Sequence, residues 1–181
     1  MLLKKDYFKL IYTLVKFLEC NVLENELFSE ALVYTKHRYI SGICLGNGTL
    51  IHYFKACGIL GAINVAHRIH AIVIKQGYDE DISVCNVLLD TYVKCGFLVE
   101  ALDVFEKKRH VCDVVSWTTI ISGYIDLGLG DEAVACLEKM QKDDLDMDNA
   151  IFLCSLKVCS IVGDISRGQA LHAKLIEEGY E

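Results

Sequence analysis

Residues 54–78 read FKACGILGAINVAHRIHAIVIKQGY, and the chain returns to the same pattern 102 positions later. Lys157, Cys159, Gly163, Ile165, His172, Ala173, Ile176, Gly179 and Tyr180 answer Lys55, Cys57, Gly61, Ile63, His70, Ala71, Ile74, Gly77 and Tyr78. A second echo runs at an offset of 32, where Tyr92, Gly96, Glu100, Ala101, Glu106 and Lys107 find Tyr124, Gly128, Glu132, Ala133, Glu138 and Lys139. Self-similarity this regular marks stacked copies of one supersecondary unit. A unit of about 30 to 35 residues cannot bury its apolar face without neighbours.

Each unit reads as two helices. Trp117, Ile120, Ile121 and Tyr124 recur at the spacing of one buried helical face, Gly128 and Gly130 interrupt it, and Ala133, Leu137 and Met140 resume it. The alternation of period two that a strand requires is absent. Glycines 77, 96, 128, 163 and 179 stand where helices should stop, because glycine takes the left-handed C-terminal cap without steric cost. Asp131 is expected to cap the helix that follows. These signals predict an all-α fold, a right-handed solenoid of antiparallel helix pairs, with at least eight helices and no sheet.

Composition fits a helical array. The 181 residues contain no proline, where ordinary usage would give roughly nine, so nothing breaks the helices. A hydrophobic fraction of 53% supplies a core, and no Gly/Ser linker or low-complexity segment divides the stack. The nine cysteines are scattered without a CxxC, and several fall on apolar helical faces, so they read as packing residues of a reducing compartment. A zinc site would need about four converging ligands, and His67 and His70 have no thiol at such spacing; no metal is expected. The N-terminal MLLKKDYFKLIYTLVKFLEC is broken by Asp6, Lys9 and Lys16. It reads as an amphipathic helix, not a membrane span or a cleaved leader. Its first arginine is Arg38, and Asp6, Glu19, Glu24 and Glu26 come earlier, a poor match to an organelle transit peptide.

DVVSWTTIISGYIDLGLGDEAVACLEKMQ, from Asp113 to Gln141, resembles a pentatricopeptide repeat of the plant type. The flanking segments resemble the longer and shorter variants that alternate in the editing-factor branch of that family. Residues 47–81 are similar to a long variant, 82–113 to a short one, 114–148 to the standard one and 149–181 to a second long variant truncated at its end. The lengths 35, 32 and 35 of the complete repeats account for the 102-residue offset. Residues 1–46 form a separate N-terminal region, in which 12–46 read as an eroded repeat because Glu30 and Ala31 stand 102 positions before Glu132 and Ala133.

The resemblance implies sequence-directed binding of single-stranded RNA, one base per repeat, read by two or three side chains. In the family a polar residue early in the first helix meets the base edge, and the last residue of the repeat supports it. The short repeat offers Asn86 with Asp113, which by the family's code resembles a uridine reader. The standard repeat offers Thr118 with Asp148, which resembles a guanosine reader. In the long repeats Ile51, with Asp81, and Leu153 occupy the reading position, where an apolar side chain can neither donate nor accept. Val115 matches the apolar residue that sandwiches bases, whereas Ser83 and Gly48 do not. The same groups also suit plain structure, with Asn86 and Thr118 as polar groups of a first turn and Asp113 and Asp148 as caps. His70 and His172 belong to a recurrent family stretch and read as helix-packing residues.

Charge argues against strong nucleic-acid affinity. Lys plus Arg number 18 against 25 Asp plus Glu, a net charge of −7, and basic residues gather only at Lys107, Lys108, Arg109 and His110. The competing reading is a helical scaffold that binds a peptide or protein. An enzyme is not expected, and neither is a cofactor. The HxE and CxxC strings that a zinc deaminase needs do not occur, and no catalytic residue is assigned. As implied by the resemblance, the chain would bind organellar RNA in a mitochondrion or chloroplast, with C-to-U editing as the process and editing-complex proteins supplying the deaminase in trans.

Overall fold

The computed structural model of the protein describes residues 46–142 and 149–177. The N-terminal helix, nearly all of the eroded repeat, the stop at Gly179 and the carboxylate of Asp148 lie outside the described residues. Eight helices follow one another in the described chain: α1 (Asn47–Leu60), α2 (Ile63–Gln76), α3 (Ile82–Lys94), α4 (Leu98–Lys107), α5 (Val114–Asp126), α6 (Gly130–Lys142), α7 (Asn149–Val162) and α8 (Ile165–Glu177). Among the described residues there is no strand, so the all-α expectation holds.

Consecutive helices pack as hairpins, α1 with α2, α3 with α4, α5 with α6 and α7 with α8. The first helix of each hairpin also packs on the first helix of the next, α1 on α3, α3 on α5 and α5 on α7. The second helices stand farther apart: among the described residues none packs on another along its backbone, and only the side chain of Arg167 on α8 reaches Glu138 on α6, at 3.8 Å. A row of touching helices beside a row of separated ones must curve toward the touching row. The odd-numbered helices therefore line the inner side.

The core follows this stacking. Leu50, Tyr53 and Phe54 of α1, Leu88, Leu89 and Tyr92 of α3, and Trp117, Ile120 and Ile121 of α5 are all buried. Each such side chain contributes about 1.5–3 kcal/mol through removal from water. The apolar face expected from Trp117 to Tyr124 is the one α5 buries, with Tyr124 half-buried at its edge, and Ala133, Leu137 and Met140 close α6 over it. Phe105 meets the face of Trp117 edge-on at 4.8 Å between ring centroids, a favoured aromatic geometry.

Helix stops are made as expected at Gly77, Gly96, Gly128 and Gly163, and also at Gly61. At Gly77, φ is 71° and the N–H of Tyr78 donates to the Val73 carbonyl at 3.0 Å, which closes the last turn. Asp131 is corrected: α6 begins at Gly130, so Asp131 lies inside its first turn and does not cap it. The reason is packing. A Cβ at position 130 would stand 2.7 Å from Cγ1 of Val162, and the missing side chain lets α6 start against the end of α7.

His70 packs as expected. Its Nδ1 lies 2.9 Å from the Tyr92 hydroxyl, and burial, then nearby His67, holds its imidazole below the usual pKa. His172, its counterpart on α8, is exposed, since among the described residues no helix stacks beyond α8 as α3 stacks on α2. Among the described residues no helix is long and apolar enough to cross a membrane.

Candidate functional site

The inner row brings the first turns of α1, α3, α5 and α7 side by side. Asp81 sits between α1 and α3 and Asp113 between α3 and α5, each as the N-cap through which the chain enters the following first helix. Asp81 has extended backbone and its Oδ1 accepts from the N–H groups of Ser83 at 2.9 Å and Val84 at 3.1 Å. Asp113 caps α5 by accepting from the N–H of Ser116 at 3.0 Å, while the Asp113 N–H donates to the Ser116 hydroxyl at 3.3 Å. This reciprocal pair is a capping box.

Asn86 and Asp113 meet. The Asn86 amide Nδ2 donates to Oδ1 of Asp113 at 3.1 Å and lies 3.3 Å from Oδ2. The Ser116 hydroxyl donates to Oδ1 of Asn86. The amide orientation is chemically determined, since the reverse would set its oxygen against a carboxylate. Asn86 therefore keeps one N–H free of the network, held by two partners from the next helix pair. Capping and amide positioning are not alternatives here; Asp113 does both.

The other sequence candidates divide. Thr118 is half-buried on α5 and its hydroxyl donates to the Val115 carbonyl at 3.0 Å, one turn back. Val115 is exposed at the start of α5, as an apolar platform must be, and so is Ser83 at the start of α3. Leu153 is exposed on α7. Ile51 packs partly buried against the core. Asp81 accepts from the amide Nδ2 of Asn47 at 3.0 Å, and this bond, followed by the backbone N–H groups of Val84 and Ser83, holds its carboxyl below the usual range.

Two participants escaped sequence reasoning. Ser116 was legible, because Asp113 with a hydroxyl three residues on is capping-box spacing. Asn47 was not, because its partner is 34 residues away. Immediately behind the Asn86–Asp113 pair, the Cys112 thiol is lowered from its ordinary pKa by a hydrogen bond with Cys85, against burial, and Ser116 adds to the effect.

The basic cluster is already neutralised. Lys107 binds Asp103 at 2.7 Å, Lys108 bridges Asp79 and Glu80 at 2.5 Å each, and His110 reaches Glu80 at 2.9 Å. Arg109 lies over the Trp117 ring at 4.6 Å and within 3.8 Å of Glu106. The Lys108 and His110 pairs clasp the loop before α3 to the loop before α5, whereas Lys107 pairs with Asp103 within α4. Among the described residues no group of three or more His, Cys, Asp or Glu side chains could hold a metal ion.

The family profile for the PPR repeat matches residues 83–109 and 115–145, which cover α3 with α4 and α5 with α6. Curated relatives come from Arabidopsis thaliana. A chloroplastic pentatricopeptide repeat-containing protein is 37% identical over 129 residues, 71% of this chain and 15% of its own length. A mitochondrial one is 32% identical over 120 residues, 66% of this chain and 17% of its own length. A third is 30% identical over 158 residues, 87% of this chain and 23% of its own length. The chain thus spans less than a quarter of the length of these relatives. With two profile matches on stacked helix hairpins and relatives that share most of the described array, the chain is a pentatricopeptide repeat protein of the plant type.

Proposed function

We propose that the chain binds single-stranded RNA along its inner helix row, one base per helix pair, in the RNA metabolism of a mitochondrion or chloroplast. The observation that carries this reading is the network of Asn86, Asp113 and Ser116. It holds one amide N–H in place with groups from two successive helix pairs, which is what a base-edge reader requires. That single donor suits a keto oxygen such as uracil O4 and repels the amine of cytosine. Asn86 with Asp113 reads U, Thr118 with Asp148 reads G, and Val115 stacks between bases. Ile51 and Leu153 contribute no base-edge hydrogen bond.

The process is C-to-U editing-site recognition by an array of the editing-factor branch, with repeats bounded at 47–81, 82–113, 114–148 and 149–181. Other proteins of an editing complex supply the deaminase, and the chain itself is not an enzyme. The chloroplastic and mitochondrial relatives support the organellar setting.

The test is binding of the full chain to short RNAs that carry UG or have both bases replaced, at two salt concentrations. Tighter binding of the UG strand, weakening with salt, is expected. One observation favours the scaffold alternative, the net charge of −7 with its basic cluster already paired. Equal, salt-insensitive binding to every RNA would favour that scaffold and end the RNA reading.

A further inference from the structure

Asn47 and Asn86 are set in the same way, although they occupy different places in their helix pairs. Each amide Nδ2 donates to the aspartate that caps the next first helix, Asn47 to Asp81 at 3.0 Å and Asn86 to Asp113 at 3.1 Å. Each amide oxygen is also engaged, that of Asn47 by the Gly48 N–H at 2.8 Å and that of Asn86 by the Ser116 hydroxyl. In both, one N–H remains.

Asp81 is as firmly held as Asp113, because its other oxygen accepts two backbone N–H groups of α3. The reverse amide orientation at Asn47 would set oxygen against oxygen at Asp81 and N–H against N–H at Gly48. Asn47 is exposed on the first turn of α1, one turn before Ile51, which is turned partly into the core.

We infer that Asn47 is a specificity-determining residue of the first described helix pair, taking the place that apolar Ile51 leaves empty. Its remaining amide N–H selects a base with a keto oxygen, uracil or guanine, over one with an amine, cytosine or adenine, at the nucleotide 5′ to the U read by Asn86. This rests on the RNA-binding reading above. The chemistry is a difference of donors: a keto oxygen accepts from the amide, whereas an exocyclic amine sets donor against donor.

Fluorescence anisotropy on the full chain with four RNAs of sequence NUG, differing only in N, tests the assignment. N as U or G should bind about fivefold tighter than N as C or A, the lower end for a base-edge contact because the site is exposed. Asn47→Ala should bring all four within about twofold while leaving the preference for the following U intact, since Asp113 and Ser116 are untouched. Four equal affinities in the parent chain, alongside discrimination at the following U, would overturn the role of Asn47 and leave the RNA reading standing. The same is true if the preference at N survives Asn47→Ala. Loss of discrimination at every position would sink the RNA reading, and this inference with it.

Discussion

The hydrogen bond between Asn86 and Asp113 can be weighed without any RNA. Asp113→Ala removes an N-cap, which costs about 1 kcal/mol. It also removes a bond from an amide to a charged acceptor, worth about 1 kcal/mol when discounted for the half-buried setting. The expected destabilisation is about 2 kcal/mol. Asn86→Ala loses the same bond and the one from Ser116, again about 2 kcal/mol. If the shared bond exists, the double variant counts it once, so it should lose about 3 kcal/mol instead of the sum of about 4.

The chain has one tryptophan, Trp117, buried on α5 just past Asp113. Its fluorescence in a urea titration reports unfolding of the helix pair concerned, which matters because repeat arrays need not unfold in one step. Asp113→Asn is the control; asparagine caps about as well as aspartate, so this variant isolates the loss of charge. A coupling within about 0.3 kcal/mol of zero is the noise of additive sites. It would show that Asn86 and Asp113 do not hold each other in solution and that the amide is not preorganised.

Asn86→Thr should move base preference from U toward G, by about 1–3 kcal/mol of discrimination, because it copies Thr118; a lower melting temperature with an unchanged base ranking would make Asn86 purely structural. Gly96→Ala should cost about 1 kcal/mol, because φ is +80° there. Gly58→Ala, inside α1 with no atom nearer than 3.4 Å to a new Cβ, should be neutral or gain up to about 1 kcal/mol; reversed signs in thermal melts would contradict the helix ends described. Because burial lowers the pKa of His70 in the fold, its contribution to stability is present above about pH 6.5 and is lost as pH falls through the lowered value. Melts from pH 7.5 to 5.5 should therefore show a decline that His70→Phe abolishes, and an unchanged decline would remove His70 as its source.

What the sequence determined alone was most of what is short in range or repeated. Apolar spacing around Trp117, the glycine stops and the echo at 102 residues dictate helix hairpins and their order, because they act within one turn or recur in each unit. Register also brought Asn86 and Asp113 together as candidates. Tertiary structure decided which partners meet. Asp81 goes to Asn47, Ser116 closes the reader, Gly130 instead of Asp131 starts α6, and the cluster from Lys107 to His110 is met by acidic neighbours. These contacts join residues such as Asn86 and Asp113, 27 apart, or Asn47 and Asp81, 34 apart. Their geometry depends on how one first helix stacks on the next, a distance and rotation fixed by buried side chains of both helices and by no local signal in either.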